Sequence, residues 1–256
     1  MREFRIGLAG RIIGISAMYD EVFEICEDYL IKDKKNTENI NTAEEDFHVT
    51  VTQEDIDFER EKSDREAEAK GEEPEDYPES YLETLAVYRK IATAMLDYDT
   101  WLMHGAVVGI NGEGVMFTAV SGVGKTTHLR LWLDSIPGAY VLNGDKPLLK
   151  WQGDVCMVCG TPWAGKEGMQ KNEIVPLRAI CFLGRGRKNK IEKISLAEAY
   201  PLLLQQTYRS SDPAVMKKTL SQLGKMCTSV PMYRLICNMD DEAAIVAYEG
   251  IYERKP

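Results

Sequence analysis

The segment Ser121–Thr127, with the sequence Ser-Gly-Val-Gly-Lys-Thr-Thr, joins an apolar run over Val115–Ala119 to a helix predicted over His128–Asp134. A strand, a glycine-rich turn and a helix in this order are typical of a phosphate-binding loop, or P-loop. Gly122 and Gly124 let consecutive backbone N–H groups approach phosphate oxygens without a Cβ in the way. The N-terminus of the following helix adds partial positive charge. The segment therefore predicts a phosphate site in an α/β domain.

The side chains of this loop suit the phosphate tail of a nucleotide. Lys125 is long enough to reach β- and γ-phosphates, and the Thr126 hydroxyl is a hard oxygen ligand suited to Mg²⁺. The predicted binding residues are Ser121, Gly122, Val123, Gly124, Lys125, Thr126 and Thr127. The general pattern G-x-x-x-x-G-K-S/T has glycine where this chain has Ala119, and alanine fits there if its φ is negative and no phosphate oxygen presses on its Cβ. The alternative is an ordinary glycine-rich turn between a strand and a helix.

The composition is that of a globular protein, since 44% of the 256 residues are hydrophobic and 28% are charged. The formal net charge is −10, and residues 54–79 alone hold 13 acidic and 4 basic side chains. A chain without a stripe of Lys and Arg is a poor candidate for nucleic-acid binding, which depends on neutralising phosphates. Residues 54–79 are predicted to be a solvated helix or a mobile linker, with docking of a basic partner as the alternative.

The sequence also bears on location and on the cysteines. No run of 18 apolar residues occurs and the first residues lack the apolar core of a signal peptide, so we expect no membrane contact and a cytoplasmic location. Six dispersed cysteines favour free thiols over a disulfide framework. The single C-x-x-C, Cys156 to Cys159, lies in an apolar, strand-like run. We interpret it as strand packing, with a zinc or redox site as the alternative.

Residues 1–98 are predicted to form a small α+β accessory region without a chemical motif, followed by the loop-bearing domain over 99–256. The elements predicted in the first region are a strand pair within Phe4–Ile15, an amphipathic helix over Glu21–Ile31, a strand over Phe47–Val51 and a buried helix over 81–98. The spacing Ser80-x-x-Glu83 is typical of a capping box, which would start the last helix.

The second domain is predicted to contain β-hairpins, the first of them around an Asn-Gly turn. The predicted pairs are Leu102–Ile110 with Val115–Ala119, Pro147–Trp151 with Val155–Val158, and Leu177–Leu183 with Lys190–Ile194. Because the loop strand follows an antiparallel partner, we expect a mixed sheet and not the largely parallel sheet of common P-loop proteins. Helices are predicted after Ser195, Asp212 and Asp241, the last one preceded by a strand over Met232–Cys237.

Three blocks, Met103–Val108, Ser121–Thr127 and Leu142–Lys146, resemble the catalytic domain of HPr serine kinase and its relatives in the phosphoenolpyruvate carboxykinase-like superfamily. The resemblance covers roughly residues 100–240 and is strongest to small stand-alone bacterial members. It implies a mixed-sheet P-loop kinase domain of the carboxykinase type over 99–256. It also implies ATP and Mg²⁺ as cofactors and transfer of the γ-phosphoryl group to a hydroxyl, with serine or threonine of a protein or peptide as the acceptor.

The resemblance carries roles onto individual side chains. His104 matches a histidine that lies near the transferred phosphoryl group. Asp145 matches the second of two adjacent acidic residues and would serve Mg²⁺ together with Thr126. Gly144 stands where the family has the other acid, which accepts the hydroxyl proton, so Asp145 or His104 would have to substitute. The ordinary alternatives are a core histidine at 104 and a turn aspartate at 145.

A second glycine-rich loop over Gly160–Gly168 resembles the mobile, substrate-facing loop of this superfamily. Lys166 would add positive charge at the transferred phosphoryl group, and Trp163 would stack on a ligand or be buried in an ordinary surface loop. We interpret His128 as structural and leave His48 unassigned. A basic turn comprises Arg185, Arg187, Lys188 and Lys190. We expect it to be a solvated hairpin tip, with contact to phosphate or to an acidic acceptor as the alternative.

The predicted catalytic set is therefore His104, Lys125, Asp145 and Lys166. Two other functions share this set. A kinase for a small metabolite would use every nucleotide-site residue, and a nucleotide-binding sensor without turnover, a pseudokinase, is favoured by the missing acid at Gly144. The identity of the acceptor, the choice between ATP and GTP and a homo-oligomeric state are left open by the sequence.

Overall fold

The computed structural model describes residues 1–31, 44–120, 122–208, 210 and 212–254, except for the side chain of Lys70. The chain divides into two units, Met1–Ala94 and Met95–Pro256. The division falls before a 3₁₀ helix over Met95–Tyr98, whereas the sequence placed it after residue 98. Leu96 explains the difference, because this side chain is buried in a core of the second unit.

In the part of the chain that the structure describes, the first unit is a three-stranded sheet with three α-helices. Its elements are β1 (Arg2–Leu8), β2 (Arg11–Ala17), α1 (Asp20–Ile25), β3 (Phe47–Thr50), α2 (Gln53–Lys70) and α3 (Glu79–Ala94). Strands β1 and β2 pair antiparallel, and β3 joins β2 in parallel. The predicted strand pair and third strand are confirmed. The helix predicted over Glu21–Ile31 ends early, at Ile25, and a separate 3₁₀ turn over Glu27–Tyr29 follows it.

The acidic stretch 54–79 is helical as far as Lys70, in α2, and most of its side chains are exposed or half-exposed. Of the two structures predicted for it, the solvated helix is therefore confirmed for this part. Ile56 and Glu59 are buried, and Glu59 is the charged one of the two, with 2% of its side chain exposed. Its carboxylate accepts a hydrogen bond from Arg89 on α3, so a charge pair lies between the two helices.

The capping box predicted at the start of α3 is wrong. The helix begins at Glu79, so Ser80 already lies inside it. The buried Glu83 carboxylate accepts backbone N–H groups of Met18 and Tyr19 at 2.6 and 2.8 Å. A tertiary contact therefore takes the side chain that the local pattern assigned to the helix end.

His48 lies on β3 between two polar side chains. Its Nε2 is 2.8 Å from the Ser16 hydroxyl, and its Nδ1 is 2.8 Å from the Glu45 carboxylate. The order of groups is that of a serine–histidine–acid triad. Ser16, however, is 4% exposed, which leaves its hydroxyl little room to meet a substrate. We therefore assign these three side chains to holding β3 against β2.

Over its described residues, the second unit is a nine-stranded mixed sheet with four α-helices. Its elements are β4 (Thr100–Leu102), β5 (Ala106–Ile110), β6 (Glu113–Thr118), α4 (Lys125–Ser135), β7 (Tyr140–Asn143), β8 (Leu148–Gln152), β9 (Val155–Cys159), β10 (Ile174–Arg185), β11 (Lys190–Lys193), α5 (Leu196–Gln206), α6 (Pro213–Ser229), β12 (Met232–Cys237) and α7 (Glu242–Tyr252). The strand order is β4-β8-β9-β10-β6-β5-β7, with β12 beside β10 and β11 beside β12.

Two of the three predicted hairpins are confirmed. Strands β5 and β6 pair antiparallel around Asn111 and Gly112, and β8 pairs with β9. The third is wrong, because β11 pairs with β12 and not with β10. Strand β10 instead pairs in parallel with both β6 and β12, which makes the sheet mixed, as predicted. The connection from β10 to β12 contains helices α5 and α6, so it is long enough for the crossover that their parallel pairing needs.

The two faces of this sheet are covered by different helices. Neighbouring residues of β6 point to opposite faces, and Met116 and Phe117 lie in two separate cores. Leu203 of α5 shares the core of Met116, whereas Trp132 of α4 and Tyr248 of α7 share that of Phe117. Helix α4, which follows the glycine-rich loop, is thus fixed to the sheet by its buried face.

The helix starts predicted at Ser195 and Asp212 are confirmed. Ser195 forms a capping box with Glu198, and the Asp212 carboxylate accepts the N–H of Ala214 at 2.7 Å. All six cysteines are free thiols. Burial raises the pKa of both Cys156 and Cys159 to about 12, so these thiols stay protonated inside β9. No helix in the described part of the chain combines the length and the apolar character that crossing a membrane requires.

Candidate active site

The glycine-rich loop connects the end of β6 at Thr118 to the start of α4 at Lys125. Gly122 and Gly124 have φ angles of 80° and 123°, in the region that favours glycine. The strand–loop–helix arrangement predicted from the sequence is therefore present. Ser121, which the sequence placed in the binding loop, lies outside the described residues.

Lys125 folds back over the loop that precedes it. Its Nζ donates to the carbonyl oxygen of Ala119 at 3.4 Å. Ala119 does not have a positive φ, which meets the backbone condition for alanine at this position. Burial lowers the pKa of Lys125, and the negative charge of Asp145 offsets part of that shift. The ammonium group is thus held half-buried beside the loop, where an anion would compensate its lost hydration.

Asp145 is positioned by a turn that begins at the end of β7. The Asn143 side-chain oxygen accepts the N–H groups of Asp145 at 3.0 Å and Lys146 at 2.7 Å. The Asn143 amide donates to the carbonyl oxygen of Thr161 at 3.0 Å, and the asparagine is fully buried. Sequence reasoning missed Asn143 as a site residue. Its signal is an asparagine two residues before the functional side chain, the spacing of an Asx turn.

His104 lies in a break in the strand predicted over Leu102–Ile110, between β4 and β5. Its Nε2 is 3.2 Å from Oδ1 of Asp145. On the other side, its Nδ1 is 3.1 Å from Oε1 of Gln206, and its backbone N–H donates to the Gln206 carbonyl oxygen at 2.7 Å. The imidazole is held between these two residues. Gln206, at the end of α5, was also missed by the sequence reasoning.

Further hydrogen bonds tie the histidine segment to the loop strand. The Thr118 hydroxyl donates to the His104 carbonyl oxygen at 2.8 Å, and the Gly105 N–H donates to the Asp145 carbonyl oxygen at 2.8 Å. Burial tends to raise the pKa of Asp145, but the His104 hydrogen bond and the charges of Lys146 and Lys125 outweigh it and lower the pKa. The structure therefore brings together a histidine, an ionised carboxylate and the loop lysine.

The second glycine-rich loop lies against this group of residues. A Cβ at Gly165 would come within 3.2 Å of the Asp145 Cβ. Two residues on, the Glu167 carboxylate accepts two hydrogen bonds from Arg130 of α4, at 2.7 and 2.8 Å. Lys166 lies between these two anchor points and is exposed. Trp163 is 7% exposed, which fits the buried alternative and not a stacking surface.

Gly144 is closed to any side chain. A Cβ at this position would lie 2.4 Å from the carbonyl oxygen of Ala164 in the second loop. Real Cβ atoms do not approach a backbone oxygen so closely, so an acid at 144 would require the second loop to move. Within the turn Asn143–Lys146, the acidic side chain of this site is Asp145.

A cavity of about 510 Å³ opens beside the loop. Its lining residues are Gly122, Val123, Gly124, Thr127, His128, Leu131, Leu183, Gly184, Arg185, Gly186, Cys237, Asn238 and Met239. Arg185, the first residue of the predicted basic turn, donates to the carbonyl oxygens of Val123, at 3.1 Å, and Gly122. The ends of β10 and β12 thus form one wall of the cavity and the loop forms the other.

The donor set suits Mg²⁺ bound together with phosphates. No cluster of three His, Cys, Asp or Glu side chains able to hold a metal occurs among the described residues. Mg²⁺ is commonly held by one or two protein oxygens, with phosphates and water completing its shell. The Thr126 hydroxyl in the first turn of α4 and the ionised Asp145 carboxylate fit that arrangement.

No family model and no curated protein matches the chain. Among solved structures, the chain is similar to the HPr(Ser) kinase/phosphatase from Coxiella burnetii, with a TM-score of 0.34 and 11% sequence identity. The match covers 60% of this chain and 97% of that chain. A likeness this slight establishes neither a family nor an activity. The functional conclusion therefore depends on the geometry around Lys125, His104 and Asp145.

Proposed function

We propose that the second unit is an ATP- and Mg²⁺-dependent phosphotransferase. It transfers the γ-phosphoryl group to a hydroxyl, that of serine or threonine in a protein or peptide. The observation that supports this best is the meeting of a P-loop lysine, Lys125, with the hydrogen-bonded pair His104–Asp145. A phosphate-binding element and a proton-accepting pair in one site are the parts that phosphoryl transfer requires.

Each part has a task in the proposed reaction. The amides of the loop and the Lys125 ammonium hold the phosphate tail. Thr126 and Asp145 would hold Mg²⁺, which neutralises charge on the phosphates when bound. His104 keeps Oδ1 of Asp145 hydrogen-bonded and so orients the carboxylate. Lys166, on the exposed second loop, would add positive charge where the phosphoryl group is transferred.

The transfer itself moves one proton and one phosphoryl group. The acceptor oxygen bonds to the γ-phosphorus while the bond from that phosphorus to the β–γ bridging oxygen breaks, and ADP leaves with the electron pair. The hydroxyl proton passes to the His104–Asp145 pair. Because a carboxylate with a lowered pKa is a weak base, we expect slow turnover compared with a site that has a separate base.

The test is transfer of labelled γ-phosphate into the macromolecular and small-molecule fractions of a cell extract. We expect label in protein or peptide, and Asp145→Asn should lower the rate by about 10²–10⁴-fold. The matched control is Asp154→Asn, a change in an exposed turn aspartate between β8 and β9. Equal rates for the two variants would contradict the role of Asp145, and label confined to small molecules would indicate a metabolite kinase.

A nucleotide sensor without turnover is the second candidate function. Gly144 favours the sensor, because this position has no room for a side chain. The site therefore has one acid where the family that the sequence resembles has two. A sensor would bind MgATP without consuming it, whatever the acceptor. Binding measured by calorimetry, with no release of ADP over long incubation in the presence of cell extract, would favour the sensor over the kinase.

A further inference from the structure

Only one of the two ring nitrogens of His128 has a hydrogen-bond partner among the described residues, although the sequence favours a structural role for this histidine. It lies on α4, is 2% exposed, and its Nε2 is 3.1 Å from Nε1 of Trp132. An indole nitrogen can only donate, so Nε2 accepts and the imidazole proton of the neutral ring is on Nδ1.

The Nδ1–H of His128 is a buried donor. Among the residues that the structure describes, none accepts a hydrogen bond from it, and the atom exposes less than 1 Å². The ring is fixed by an edge-to-face contact with Phe117, with centroids 4.6 Å apart. Most buried polar groups in native proteins are paired, so an unpaired one calls for an explanation. A ligand acceptor would supply the missing partner.

The cavity beside the loop is where such a ligand would lie. His128 lines it, together with Gly122 and Gly124 of the loop and Leu183 and Met239 on the opposite wall. Its volume of about 510 Å³ lies within the range of small-molecule sites. A triphosphate tail held by the loop would bring its nucleoside to the adjoining space, because the two parts are covalently joined. The residue that carries the unpaired donor thus lines the cavity next to the predicted phosphate site.

We propose that this cavity takes the nucleoside of the triphosphate and that Nδ1–H of His128 donates to one of its acceptor atoms, a ring nitrogen of the base or an oxygen of the ribose. The inference rests on the proposed function, which places phosphates in the loop. Since Nδ1 has almost no exposed surface, binding includes a small shift of the loop or the ring. His128 is then a specificity residue, which contacts the nucleoside and not the reacting atoms.

The test compares ATP with inorganic tripolyphosphate, which has the tail and no nucleoside. The variants are Trp132→Phe, which keeps the His128 imidazole and its ability to carry the proton on Nδ1 when an acceptor binds there, and His128→Phe combined with Trp132→Phe, which removes both members of the buried hydrogen bond. Removing both partners avoids leaving the indole N–H unpaired. We expect the double variant to bind ATP about tenfold more weakly than Trp132→Phe, with equal affinity for tripolyphosphate.

Analogues identify the acceptor atom. ATP forms with one ring nitrogen replaced by carbon, and forms lacking the 2′- or 3′-hydroxyl, are titrated against Trp132→Phe and the double variant. One analogue should lose affinity for Trp132→Phe and none for the double variant. Equal ATP affinity in the two variants, or equal losses for every analogue, would overturn the inference. If the wild type binds neither ATP nor tripolyphosphate, the proposed function itself fails.

Discussion

A Cβ atom at Gly144 would lie 2.4 Å from the carbonyl oxygen of Ala164, so the second glycine-rich loop closes over the turn that carries Asp145. The same loop touches Asp145 through Gly165 and reaches α4 through Glu167. The absence of a side chain at 144 is therefore part of how the site is built. Adding an acid there would disturb the loop before it could contribute a base.

Gly144→Ala should lower the free energy of unfolding of the second unit by about 1–3 kcal/mol, because the added methyl group overlaps a backbone oxygen. The four tryptophans, at 101, 132, 151 and 163, all lie in this unit, so urea unfolding followed by tryptophan fluorescence measures it. The control is Gly224→Ala in α6, where a Cβ meets open space and alanine favours the helix. A Gly144→Ala variant as stable as Gly224→Ala would contradict the described contact.

Arg89→Ala should destabilise the first unit by about 3 kcal/mol, because it leaves the buried Glu59 carboxylate with only Lys62, whose Nζ is 3.5 Å away, as a matching charge. Glu59 is 2% exposed, and Arg89 also donates to Asp55 at 3.1 Å. The control is Arg65→Ala, on the same helix as Glu59. The ion pair between Arg65 and Glu61 is exposed and is worth about 0–1 kcal/mol. Amide hydrogen exchange in β1–β3 measures the effect, and similar exchange rates in both variants would argue against the buried pair.

His128 should make the stability of the second unit depend on pH between about 6.5 and 4. Burial lowers the pKa of this ring from 6.5 to about 4, so in that window the unfolded chain binds a proton and the folded chain does not. Stability therefore falls as the pH drops, by on the order of 3 kcal/mol through this ring, and no further below the folded pKa.

The check on this pH dependence is the difference in unfolding free energy between Trp132→Phe and the double variant with His128→Phe. As the pH falls from 7 to 4, the double variant should become more stable relative to Trp132→Phe. A difference that does not change with pH would mean that the ring titrates normally in the folded protein.

Short-range patterns predicted much of this fold. The capping box at Ser195, the cap at Asp212 and the Asn111-Gly112 turn depend on neighbouring residues, and each is present. The predicted third hairpin is wrong because β12 lies between β10 and β11 in the sheet, although two helices separate β12 from β11 in the sequence. Glu83 failed as a capping residue because its partners, at Met18 and Tyr19, are more than 60 residues away.

The features of the candidate site likewise fall into those that a sequence pattern predicted and those that depend on tertiary contacts. The loop and Lys125 follow from a contiguous motif, and the places of His104 and Asp145 followed from a resemblance between blocks. Gln206 is 102 residues from His104, so no local pattern connects them. The contact between Gly144 and Ala164 and the unpaired Nδ1 of His128 likewise depend on tertiary packing, which spacing and composition do not report.

Titration calorimetry of MgATP onto the wild type, Lys125→Ala and Lys217→Ala measures whether the glycine-rich loop holds a nucleotide. Lys217 is an exposed lysine of α6, so its loss controls for the change in net charge. We expect the wild type and Lys217→Ala to bind alike, and Lys125→Ala to bind about 10–100-fold more weakly, as loss of a charged hydrogen bond to phosphate requires. Binding that is absent from the wild type, or unchanged in Lys125→Ala, would contradict the assignment of this loop as a nucleotide site.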